Sequence, residues 1–296
     1  MVKGSNILLL AALLLPAAAG AQSTSSKTPG SDHEYMRISK DAAGAPASLQ
    51  TPIITFEPAD GEPRGLHVDL IGAIHIADAS YYGELNERFG DYDAVLYELV
   101  APEGARPIPN TRPDNIVSGA QVGMTQLLGL TFQLDEIDYT QPNFVHADLT
   151  PEALAQSMSD RGESVLGYLS RLFTASMRGD VLQNAPAVNG PGLLAMLLSP
   201  DRGRLLKVAF ASEMLDVEDF TRAIEGDDGS SLIGERNERA ITVLEDRIRL
   251  GDRHIAIFYG VAHLPDMANR LESEVALTRR GVTWVDAWDL QASPPE

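Results

Sequence analysis

Two segments near opposite ends of this 296-residue chain repeat one arrangement, and no other feature limits the fold as much. In the first, the apolar, β-branched run 67–74 (HVDLIGAI) reads as a buried strand. It carries Gly72 and ends against His75, after which Asp78 and Ser80 offer caps for the helically spaced segment 81–89. A further apolar strand, 94–100 (AVLYELV), follows the turn signals of 90–93. In the second segment, the strand 254–259 (HIAIFY) runs into Gly260, Val261, Ala262 and His263; a helix opens over 265–271, and the strand 282–288 closes the core. Short apolar strands alternating with helices predict an α/β fold, with a central, mostly parallel sheet covered on both faces. It is built from two βα units, each with a G-x-x-H at its C-terminal edge. Between them, from about 114 to 250, the pattern is mainly helical and is expected to cap the sheet's edge, with helix starts at Thr150-Pro151-Glu152 and at Ser230-Ser231.

The matched contexts bring both imidazoles to the same edge of a parallel sheet, where α/β proteins bind ligands. A glycine inside a strand marks close approach of another group, here space beside each histidine. Glu98 interrupts the apolar strand 94–100 and needs a partner, because an unpaired buried carboxylate costs several kcal/mol. That partner is either an arginine in a structural ion pair or a divalent metal ion held together with His75 and His263. A helix following Ser231 carries an apolar stripe of Ile233, Ile241, Leu244 and Ile248. Asn237 falls on that stripe and Arg236 at its border, so the helix either aims both at the pocket or braces the core with them. His146, in the sequence NFVHAD before the helix start at Thr150, is a weaker candidate, and Asp148 is read as positioning the turn. His67 and His254 open strands at the opposite edge and His33 precedes the core; none is assigned a role. No nucleophile elbow, P-loop, H-E-x-x-H helix or dinucleotide fingerprint is present.

Composition narrows the chemistry further. The chain has no cysteine, which removes disulfides, thiol nucleophiles and cysteine-held metals. With 42 acidic against 23 basic residues and a net charge of -19, its surface repels phosphate backbones, so no nucleic-acid partner is expected. Residues 1–21 have a Lys3 n-region, an apolar stretch too short to span a bilayer, and Ala19, Gly20 and Ala21 as a cleavage site. Cleavage after Ala21 is expected to deliver a periplasmic or secreted protein with no membrane span. Residues 22–50, rich in Ser, Thr, Gly, Pro and Ala, read as a flexible leader, 51–290 as one domain and 291–296 as a tail.

The two G-x-x-H motifs, the glutamate closing the strand after the first helix, and the Glu235-Arg236-Asn237 triplet ahead of the last strands resemble the TraB/GumN family, related to the TIKI proteases. The resemblance covers roughly 53–290. It implies a metal-dependent, peptidase-like fold with manganese, cobalt or a similar divalent ion as cofactor. It carries the family's metal and catalytic set onto His75, Glu98 and His263, and its Arg and Asn onto Arg236 and Asn237.

The expected function is a metal-dependent hydrolase acting on a peptide or protein substrate. His75 and His263 hold the ion, Glu98 completes the ligand set or acts as general base, and Arg236 and Asn237 steady the substrate or oxyanion. The alternative is a non-catalytic periplasmic protein that binds a peptide, a metal or a haem-like ligand in the same pocket.

Overall fold

The computed structural model describes residues 34–108, 128–162, 198–215 and 231–291. The segment 1–21 read as a signal, and the parts of the expected leader and helical region outside those ranges, fall beyond the described residues. The strands are β1 (Arg37–Lys40), β2 (Pro46–Pro58), β3 (His67–Ala73), β4 (Ile76–Ala77), β5 (Ala94–Tyr97), β6 (Thr131–Phe132), β7 (Phe144–His146), β8 (His254–Gly260) and β9 (Leu277–Asp289). The helices are α1 (Ala79–Phe89), α2 (Gln133–Glu136), α3 (Pro151–Asp160), α4 (Arg202–Glu213), α5 (Arg236–Leu250) and α6 (Leu264–Ser273).

The predicted α/β architecture is present. β3, β8, β5 and β7 lie side by side and parallel, forming the centre of a seven-stranded sheet. β2 runs against them, paired antiparallel with β3, β1 and β9. β9 pairs with β2 from Ser48 to Pro58, so β1 and β3 share β2's other edge. Because β9 and β1 are each antiparallel to β2, they point the same way as the four central strands, and β2 alone is reversed.

Strict alternation of side chains sorts the strands into two cores. Ile71, Ala73, Val95, Tyr97, Ala256 and Phe258 face α1 and α4, packing on Tyr81, Leu85, Phe89 and Leu206. Val68, Leu70, Ala94, Leu96, Ile255 and Ile257 face α5 and α6, packing on Ile241, Leu244, Met267 and Leu271. With both faces covered, the parallel strands need uninterrupted apolar sequence, which is what made them readable.

The structure corrects several expectations. Ordered sheet begins at Arg37, not near 51: the segment read as leader contributes β1 and the start of β2. The middle region is not purely a cap, because Phe144, Val145 and His146 form the parallel strand β7 beside β5. Asp78 occupies the α1 cap position without a side-chain cap bond. Its carboxylate instead accepts from Lys207 Nζ at 2.7 Å and from the Asp289 N–H at 2.5 Å. Thr150 does cap α3, its hydroxyl accepting from the Ala153 N–H at 3.1 Å. Among the described residues, no helix is long and apolar enough to cross a membrane.

Candidate functional site

All four central strands end at the same edge, and each delivers a polar side chain there. His75 follows β3, Glu98 follows β5, Asp148 follows β7, and His263 closes the short 3-10 turn Val261–His263 after β8. The sequence thus folds a polar cluster from residues separated by up to 188 positions, because parallel register aligns the strand ends.

Glu98 sits at the centre. One oxygen, Oε2, accepts the Gly260 backbone N–H at 2.7 Å; the other, Oε1, accepts from Arg236 Nη2 at 2.6 Å and lies 3.4 Å from His263 Nε2. A Cβ built on Gly260 would stand 3.2 Å from Glu98 Oε2 and 3.9 Å from His75 Nε2. This glycine therefore lets the carboxylate reach the backbone, and His75 Nε2 looks onto the same spot. Burial works against ionisation of Glu98, but the Arg236 guanidinium holds its carboxyl well below the usual carboxylate range. Gly72 has a different job from the one expected: a Cβ there would meet Val261 Cγ1 at 3.0 Å, Leu264 Cδ2 at 3.1 Å and Pro52 Cδ at 3.2 Å. It clears space for the turn after β8 to lie on β3, not space beside His75.

Arg236 comes from the first turn of α5, directly after the π-helical turn Ser231–Glu235. All five of its N–H donors have partners. Nε reaches Asp148 Oδ1 at 2.9 Å, and Nη2 reaches Asp148 Oδ2 at 2.7 Å as well as Glu98. Nη1 reaches the Leu232 carbonyl at 3.3 Å and His263 Nε2 at 3.4 Å. Burial disfavours the guanidinium, but Asp148 and then Glu98 raise its pKa above the ordinary value, so it is a fixed charge. The arginine partner weighed for Glu98 is thus real, and it coexists with the histidine contact. Asp148, read from sequence as a turn residue, is a fully buried member of this network; no local pattern could have paired it with an arginine 88 positions away.

Each histidine is gripped by one amide residue. Asn237, fully buried as its place on the apolar stripe implied, donates from Nδ2 to the His263 carbonyl at 3.1 Å, and its Oδ1 accepts from His263 Nδ1 at 2.7 Å. On the other side, the Gln133 backbone N–H donates to the His75 carbonyl at 2.9 Å, and Gln133 Oε1 accepts from His75 Nδ1 at 3.0 Å. Gln133 was not a candidate from sequence; an uncharged amide outside any motif gives no signal. The loop carrying His75 is further held by Tyr81 and Tyr82, whose hydroxyls donate to the Gly72 and Ile74 carbonyls at 2.8 Å. His146 stands apart from these contacts, its Nε2–H donating to the Leu99 carbonyl at 2.6 Å.

Among the described residues, no group of three or more His, Cys, Asp or Glu side chains is arranged as it stands to hold a metal ion. The donor chemistry nevertheless fits a divalent ion. With each Nδ1–H given to an amide oxygen, both rings carry their lone pair on Nε2, that of His263 accepting from Arg236 Nη1 at 3.4 Å, and an ionised carboxylate lies beside them. His263 is buried whereas His75 is exposed, so the site opens to solvent on the His75 side. No known protein-family model, curated protein or solved structure matches the chain.

Proposed function

We propose that this chain is an exported, TraB/GumN-like, metal-dependent hydrolase acting on a peptide or protein, with His75, Glu98 and His263 as the residues that would hold a divalent ion such as manganese or cobalt. One observation carries the reading: two imidazoles, each fixed from behind by an amide oxygen, converge with an ionised carboxylate around Gly260. A divalent ion bound there would supply an activated water and polarise the scissile carbonyl.

The surrounding residues take roles set by their partners. Glu98 is a ligand rather than the general base, because a carboxyl held so far below its ordinary range accepts protons poorly. Arg236, with every donor engaged, positions Glu98 and balances the negative charge of Asp148; it has no hand free for substrate. Asn237 orients His263. Substrate approaches past His75, the exposed member of the set.

Elemental analysis and calorimetry with manganese, cobalt and zinc test the site on wild type, His75→Ala and His263→Ala, with peptide-library cleavage as the second readout. Stoichiometric binding lost in both variants, with metal-dependent cleavage, is expected; no binding by well-folded wild type sinks the hydrolase reading. A second reading, a binding protein without turnover, draws on the 2.6 Å ion pair between Arg236 and Glu98, which closes the charge network without a ligand. It predicts tight ligand binding and no cleavage with any metal.

A further inference from the structure

The two histidines share a detail that the motifs do not contain. Each has its backbone carbonyl and its Nδ1 engaged by a single residue: Asn237 for His263 and Gln133 for His75. The grips are built differently. Asn237 reaches from the first turn of α5 and uses its side chain for both bonds, while Gln133 uses its backbone N–H for one and its side chain for the other. Gln133 is delivered by register. In the small β4–β6 ladder Ile76 lies opposite Phe132 and Ala77 opposite Thr131, so the next residue along β6 faces the residue preceding β4, which is His75.

The orientation of each amide decides which imidazole nitrogen carries the proton. For Asn237 it is fixed twice over, because Nδ2 donates to the His263 carbonyl and to Asp266 Oδ2 at 2.8 Å, both pure acceptors. Oδ1 must then accept from His263 Nδ1–H. For Gln133, Oε1 faces His75 Nδ1 at 3.0 Å and Nε2 donates to the buried Tyr139 hydroxyl at 2.8 Å; because a hydroxyl can also donate, this contact accompanies the orientation and does not by itself fix it. Burial pushes the Tyr139 phenol above its ordinary pKa, so it stays neutral and in place.

We propose that Gln133 is a positioning residue that holds His75 as the Nδ1–H tautomer, the counterpart of Asn237 at His263, so that both rings present an unprotonated Nε2 to the same site. The value of this for metal binding rests on the function proposed above; the tautomer itself does not. Outer partners of metal-binding histidines fix ring orientation and tautomer, and losing one typically lowers metal affinity about 10–100-fold.

The test combines imidazole nitrogen NMR on the metal-free protein, at about pH 8.5 where an ordinary imidazole is neutral, with manganese and cobalt calorimetry. Wild type is compared with Gln133→Leu, Gln133→Glu and Tyr139→Phe. Wild type is expected to show Nδ1–H on both rings. Gln133→Leu is expected to release His75 alone and to weaken metal binding about 10–100-fold. Gln133→Glu, which keeps an acceptor oxygen, is expected to restore the tautomer. Tyr139→Phe, which leaves Gln133 in place but removes the partner of its Nε2, is expected to loosen the preference at His75 and supplies the measurement should Gln133→Leu not fold. Nε2–H on His75 in wild type, or a His75 tautomer unmoved by both Gln133→Leu and Tyr139→Phe, overturns the proposal. Metal affinity unchanged after the tautomer is lost overturns its link to binding. A wild type that binds no metal but shows the expected tautomers defeats the hydrolase reading and leaves the grip on His75 standing.

Discussion

A methyl group added at Gly72 would press on Val261, Leu264 and Pro52, whereas one added at Gly260 would press on the Glu98 carboxylate, so the same G-x-x-H glycine serves packing in one motif and the site in the other. Gly72→Ala is therefore expected to cost about 1–3 kcal/mol of stability by overpacking. Gly260→Ala is expected to cost less stability but to weaken metal binding about 10-fold by displacing Glu98 from its place beside the rings. Urea unfolding and calorimetry on the two variants separate these effects, and the reverse ranking would show that the roles are exchanged. The acid response follows from Glu98. Its folded pKa lies below the ordinary 4.5, so its contribution is complete above that value and disappears as pH falls through the folded value. The stability lost in Glu98→Gln should accordingly be largest near neutral pH and shrink on acidification below 4.5; a pH-independent difference would mean that the carboxylate is not held by Arg236. At this scale the charged and aromatic-ring chemistry was legible: His75, Glu98 and His263 stood out against apolar strands, and Asn237 against an apolar helix stripe. Gln133 and Asp148 were not, since their importance lies wholly in which distant atoms they meet.

Elements follow the same division. Strands β3, β5 and β8 were readable because two-sided burial demands continuous apolar sequence. β7 has three residues, too few to show any period, and β1 (RISK) with the start of β2 (PASLQ) mixes charged, small and polar residues because it lies in the antiparallel part of the sheet, away from the parallel centre. α4 docks through Leu206 and Ala211 in the core and through one buried ion pair, Lys207 Nζ to Asp78 at 2.7 Å, with Lys207 only 4% exposed. Lys207→Met should cost about 3 kcal/mol by leaving Asp78 without its cation. Adding Asp78→Asn should recover part of that loss in a double-mutant cycle, and a strictly additive double mutant would remove the pair from the account of how α4 docks. The Thr150 cap is an ordinary one, and Thr150→Ala is expected to lower stability by about 1 kcal/mol in thermal unfolding.

For the whole molecule, a net charge of -19 means that the compact state holds like charges together. Raising ionic strength from about 0.01 M to about 0.15 M shortens screening from about 30 Å to about 8 Å and should raise the midpoint of thermal unfolding; a midpoint that falls would show that the ion-pair networks outweigh the repulsion. The sheet's connectivity has another consequence, in time rather than in energy. β8, which separates β3 from β5, and β9, which covers the full outer edge of β2, are the last two strands made. During synthesis the earlier strands therefore wait with open edges, and neither the sheet nor the polar cluster at its end can close until β8 and β9 have left the ribosome.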